Sequence, residues 1–90
     1  MTPDNLPGGD LVIAGIADLD RGEETAAALL VSIGAPRLRR LGFVIKRPFP
    51  DPEQRLYRIL AGFDGASAHG RFNALIRRLV SFERAAECAS

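Results

Sequence analysis

An all-α fold, a small bundle of four or five helices with a long C-terminal helix, is what this 90-residue chain predicts. Three observations carry it. Apolar residues recur at helical spacing around Leu30, Leu60 and Leu79, glycines punctuate the joints, and cap acids or prolines stand where helices would start. At this length the chain makes one helical domain over residues 1–90. Residues 1–9, with Pro3 and Pro7, are expected to form a flexible arm.

Asp10 has an oxygen suited to capping free helix amides, and residues 11–19 follow with Val12, Ile16 and Leu19 on one side. A buried strand fits residues 11–17 as well, because the run is short, partly β-branched and broken by Gly15. Gly22 closes the element. Glu23, Glu24 and Thr25 open the next, placing acids beside unpaired amides. Here Ala26, Leu29, Leu30 and Ile33 form one inward stripe, and Gly34 is expected to stop it. Ala35 and Pro36 restart a short helix that keeps Leu38 and Leu41 inward and ends at Gly42.

Pro48 and Pro50 forbid a helix over the following stretch and bias it to extended geometry. It is expected to be a loop or short edge strand, pinned to the core by Phe43, Ile45 and Phe49. Asp51, Pro52 and Gln54 form a capping-box start, and Leu56, Ile59, Leu60 and Phe63 repeat the inward stripe. Gly62, Asp64 and Gly65 end it. The last helix runs from residue 66 or 67 to about 87, with Phe72, Leu75, Ile76, Leu79, Phe82 and Ala86 on one side. About 21 residues at 1.5 Å each span roughly 32 Å, as long as a domain of this size is wide. Its far end, at Phe82 and Ala86, is therefore expected to lack a partner within the chain.

Composition narrows the class. The chain is 47% hydrophobic and 26% charged, which suits a folded globule rather than a disordered segment. The longest apolar run, residues 11–17, falls far short of the roughly 20 residues a bilayer requires. No cationic start precedes it, so no secretory signal is expected. The single cysteine, Cys88, excludes an internal disulfide and points to a reducing cytoplasm.

Net charge is only +1, but its distribution is lopsided. Residues 1–35 hold six acids against Arg21 alone, and the remainder holds eleven cations against five acids. The basic stretch is the sharpest feature: Arg37, Arg39, Arg40, Lys46 and Arg47 have no acid among them. Such a cluster can face a polyanion, or acids of its own chain or of a second copy. Guanidinium in particular pairs with carboxylate or phosphate through two parallel hydrogen bonds.

Other constellations carry less. A degenerate helix-turn-helix fits residues 23–42, with Gly34 in the turn, yet its second helix would have about one and a half turns for base contact. Asp64, Ser67 and His69 offer an acid, a hydroxyl and a base close in sequence but without triad geometry. His69 and Cys88 lie 19 residues apart on one helix, roughly 28 Å, too far to share a metal ion. No catalytic, cofactor or metal residues are assigned. Glu83 breaks a pattern, falling in the middle of the apolar stripe of the last helix: either the helix end is exposed there, or an arginine reaches the carboxylate in a structural ion pair, within the chain or from a second subunit.

These residues point to a non-enzymatic intracellular interaction module. It is expected to form a homodimer through the C-terminal helix, with Phe82 and Glu83 at the interface and Glu83 paired to Arg37, Arg39 or Arg40 of the other subunit. Arg37, Arg39, Arg40, Lys46 and Arg47 would meet an acidic protein partner. The alternative is a small nucleic-acid-binding regulator with those five cations on phosphates.

Overall fold

The computed structural model describes residues 5–89, which hold four helices and no strand. They are α1 (Gly9–Asp20), α2 (Ala26–Arg40), α3 (Pro52–Phe63) and α4 (Ala68–Ala89). The expected bundle with a long last helix is the observed one, and residues 11–17 are helix rather than strand. Helix α2 is the central element: α1, α3 and α4 all pack on it, and α3 also meets α4. Its sequence suits that place, because Ala28, Leu29, Leu30, Val31 and Ser32 are all buried. A helix apolar nearly all round must be enclosed by its neighbours.

The joints follow the glycines. After α1, Gly22 takes a left-handed conformation, φ 73°, and the Glu23 amide donates to the Asp18 carbonyl. After α2, Gly42 does the same at φ 103°, with the Phe43 amide on Leu38. Both are Schellman ends, which close orphan carbonyls through a residue that tolerates positive φ. At the start of α2 the Thr25 hydroxyl accepts from the Ala28 amide at 3.1 Å.

Gly34 behaves differently from its expected role as a stop. Helix α2 runs through Gly34, Ala35 and Pro36 without a break, so one helix stands where two were expected. The glycine is a packing residue: a Cβ there would lie 3.0 Å from Leu79 and 3.1 Å from the Glu83 carboxylate, so its absence lets α4 approach. Pro36 removes one hydrogen bond from the helix interior. Buried Ala35 and Leu38 on either side of it keep the turn in place. The helix-turn-helix drawn over residues 23–42 therefore has no turn.

Three further expectations are corrected. Asp10 is not the cap of α1. The cap is Gly8, at φ 73° and without a side-chain bond, and Asp10 sits in the first turn, 3.0 Å from Arg78. Asp51 does precede α3 but caps nothing with its side chain, because its own backbone is left-handed at φ 47°. Phe63 leaves the expected inward stripe and is 79% exposed. Residues 61–66 are all exposed, so the last turn of α3 projects past its neighbours, and periodicity cannot bury a side chain with nothing opposite.

Residues 1–4 of the expected arm lie outside the described residues. Residues 5–9 are docked instead of free: Leu6 packs on the core, and Gly8 comes so close to α4 that a Cβ would sit 2.6 Å from the Arg78 carbonyl oxygen. Among the described residues no helix is long and apolar enough to cross a membrane.

Candidate functional site

The five cations of the basic stretch do not form one face. They divide by what the fold asks of each. Arg39 turns back along its own chain, and its Nε and Nη2 both donate to the Ile45 carbonyl, at 2.9 and 2.5 Å. This contact anchors the loop that follows α2. Arg37 reaches α4, where Nη2 meets the Glu87 carboxylate at 2.7 Å and Nη1 lies 3.8 Å from Glu83. Arg40, Lys46 and Arg47 remain exposed and make no hydrogen bond or ion pair among the described residues.

Phe82 and Glu83, expected at a second subunit, are buried within their own chain. Phe82 is 0% exposed, and its ring meets Phe43 at 5.5 Å in a tilted arrangement that aromatic pairs favour. The basic-stretch loop thus supplies the cover that the end of α4 was expected to lack. Glu83 is 5% exposed and takes its cation, Arg37, from the same protomer. Burial pushes its carboxyl above the usual range, opposed by the positive charges of Arg37 and Arg40.

Lys46 and Arg47 are presented by a loop held at three points. Ile45 is buried, Phe49 packs on the core, and the Phe49 amide donates to the Ser32 hydroxyl at 3.0 Å. Ser32 in turn donates to the Ala28 carbonyl at 2.8 Å, so a buried hydroxyl ties the loop to the middle of α2. Held there, the loop faces the α1–α2 turn across a cleft of ≈ 570 Å³. Arg21, Lys46 and Arg47 line it against one acid, Asp20, with Leu19 and Phe49 as apolar walls. Arg21 is engaged by Asp18 and Glu23, while Lys46 and Arg47 make no ion pair among the described residues. Ammonium and guanidinium without counter-charges are positioned to hold carboxylate or phosphate oxygens.

Sequence reasoning found Lys46 and Arg47 but missed Arg21, Asp20 and Ser32. The first two stand in the turn that closes α1, and only the packing of α1 on α2 brings that turn opposite the loop. Ser32 carried no local signal, as a serine inside a helix usually faces outward or back-bonds to its own turn.

The Asp64, Ser67 and His69 group forms the start of α4. Asp64 accepts from the Ala66 amide at 3.2 Å, and the Ser67 hydroxyl donates to the Asp64 backbone carbonyl. Hydrogen bonding from Ser67 and Ala66 holds the Asp64 carboxyl below its usual range. His69 lies against Tyr57, ring centroids 6.5 Å apart, rather than against Ser67 or Asp64. Cys88 is an exposed free thiol. Among the described residues no three metal-ligating side chains converge.

Compared with known families, curated proteins and solved structures, the chain has no match to a family model, a curated protein or a solved structure.

Proposed function

We propose that this chain is a non-enzymatic interaction module that engages an acidic protein segment, acting in the reducing cytoplasm, where the Cys88 thiol stays free. The observation that carries it is the division of the basic stretch. Arg37 and Arg39 are consumed by the fold, whereas Arg40, Lys46 and Arg47 are exposed and make no hydrogen bond or ion pair among the described residues, two of them lining a cleft. Keeping like charges together and unpaired opposes the compact state, so a partner's carboxylates are the natural counter-charge. Self-association through the C-terminal helix is not part of this function, because Phe82, whose expected exposure motivated it, is covered.

A fluorescent peptide rich in Asp and Glu, titrated with the full chain over a salt series, tests this. Binding is expected at low salt, weakening as salt rises, and is expected to fall at least tenfold in the double variant Lys46→Glu, Arg47→Glu with an unchanged circular dichroism spectrum. Duplex DNA is the control. Tighter binding of DNA than of the peptide, with a steep salt slope, would replace the protein partner by a nucleic acid. Equal peptide binding by wild type and double variant would remove the proposed face.

A further inference from the structure

The loop between α2 and α3 has one bonded edge and one open edge. Residues 43–49 run without helix, turn or bend, as the prolines behind them favour. Side chains alternate along the segment: Phe43 packs on the core and Ile45 is buried, whereas Val44 and Lys46 are exposed, Val44 at 66%. In extended backbone the N–H and C=O of one residue point to the same edge, and those of the next residue point to the opposite edge. The odd residues spend theirs on α2. The Phe43 amide donates to the Leu38 carbonyl at 3.0 Å, and the Ile45 carbonyl accepts from Arg39. Val44 and Lys46 therefore direct their N–H and C=O away from α2, and none of these groups is hydrogen-bonded among the described residues. Pro48, next on that edge, has no N–H and ends the open stretch.

An open edge is a template for another strand. Such pairing is weak when both strands must first be ordered. Here one is ordered already: Ile45 is buried, Arg39 holds its carbonyl, and the Phe49 amide is fixed on Ser32. Open space adjoins it too, since Lys46 and Arg47 line the cleft of ≈ 570 Å³. Charge selects the occupant. Lys46 and Arg47 make no ion pair among the described residues, so a strand that carries carboxylates is favoured. A second copy of this loop would set its own Lys46 and Arg47 beside these, like charge against like. A nucleic acid brings phosphates but no row of backbone N–H and C=O groups to match the edge.

We infer that an extended acidic segment of a partner protein adds to this loop as an antiparallel β-strand, exchanging backbone hydrogen bonds with Val44 and Lys46 and setting a carboxylate opposite the Lys46 ammonium. The inference rests on the acidic-partner function above and adds to it how that partner is held. Antiparallel pairing is the more stable per residue, and it lets Val44 and Lys46 each exchange both bonds with a single residue opposite. Those two partner residues stand two positions apart on one face of their strand, an acid facing Lys46 and a β-branched residue facing Val44. Main-chain bonds then supply affinity and the alternate side chains supply choice.

The test uses the full chain and a blocked acidic peptide with a central Glu-Thr-Val, whose Glu is to face Lys46 and whose Val is to face Val44. Two analogues carry backbone N-methyl groups, one on that Glu and Val, the other on the Thr between them. Methylation of the Glu and Val is expected to weaken binding at least about tenfold, because it removes the donors that meet the loop, and methylation of the Thr to change it by no more than about twofold. Amide exchange at Val44 and Lys46 is expected to slow at least about tenfold when the parent peptide saturates the chain, while exchange at Phe43, already bonded, stays unchanged. Val44→Pro, which removes one donor and no charge, should weaken binding about tenfold. If that variant does not fold, the methylated peptides decide on wild type. Equal binding of the two analogues, a loss confined to the Thr analogue, or unchanged exchange at Val44 and Lys46 in the saturated complex would each overturn the strand. If the peptide then still binds and is lost in Lys46→Glu, Arg47→Glu, the acidic-partner function survives with side-chain contacts alone. If the parent peptide does not bind, both fall.

Discussion

Gly15 and Ala27 meet backbone to backbone where α1 crosses α2: a Cβ built on Gly15 would lie 2.3 Å from the Ala27 carbonyl oxygen and 2.5 Å from a Val31 methyl. No rotamer relieves a clash with a carbonyl, so the helices would have to separate. Gly15→Ala is expected to destabilise the fold by about 3 kcal/mol, although alanine is the better helix former by about 1 kcal/mol. Gly62, with nothing within 4 Å of its Cβ position, supplies the control. Gly62→Ala should stabilise by about 0.5 to 1 kcal/mol. Urea midpoints of both variants check the pair.

Ser32 bridges α2 to the loop at Phe49, and Ser32→Ala leaves the Phe49 amide without its acceptor. The expected loss is about 1 to 3 kcal/mol, the usual penalty for stranding a half-buried donor. Amide exchange at Phe49 and Ile45 should quicken in the variant more than exchange in α1. Uniform acceleration across all helices would mean that the bond holds no particular segment.

Arg39 and Arg40 are neighbours in sequence with opposite duties. Arg39→Met removes two donors from the Ile45 carbonyl and should cost about 1 to 2 kcal/mol in thermal or urea unfolding. Arg40→Met, on an exposed side chain with no partner among the described residues, should stay within about 0.5 kcal/mol of wild type. The order reverses in peptide binding, where Arg40 is the residue expected to matter.

Glu83 gives the fold a pH dependence of unusual sign. Burial raises its carboxyl above the ordinary value, so the folded state holds this proton more tightly than the unfolded chain does. The stability it contributes is fully present below the ordinary carboxylate range. It is lost as pH rises through the raised value. Glu83→Gln removes that term, so the variant's urea midpoint relative to wild type should improve between pH 4 and pH 7. Glu83→Leu should be neutral or stabilising at pH 7, because Arg37 keeps Glu87 when Glu83 is gone.

Local signals in the sequence determined the helices. The stripes around Leu30, Leu60 and Leu79, the glycine ends at Gly22 and Gly42, and Pro52 at the start of α3 act within a turn or two of the chain, so spacing and residue type reveal them. What a turn cannot sense, only the tertiary structure decided. Gly34 resembles a stop by type but is a gap left for Leu79 and Glu83. Phe63 keeps the phase of its stripe yet projects past every neighbour. Phe82, seemingly unsupported at the end of a long helix, is covered by Phe43 from a loop 39 residues earlier in the chain. The basic stretch shows the same boundary. Its charge is written in consecutive residues, but whether each arginine serves the fold or a partner depends on Ile45, Glu83 and Glu87. Burial and pairing are properties of what lies opposite a side chain in space, and one strand of sequence does not carry that opposite surface.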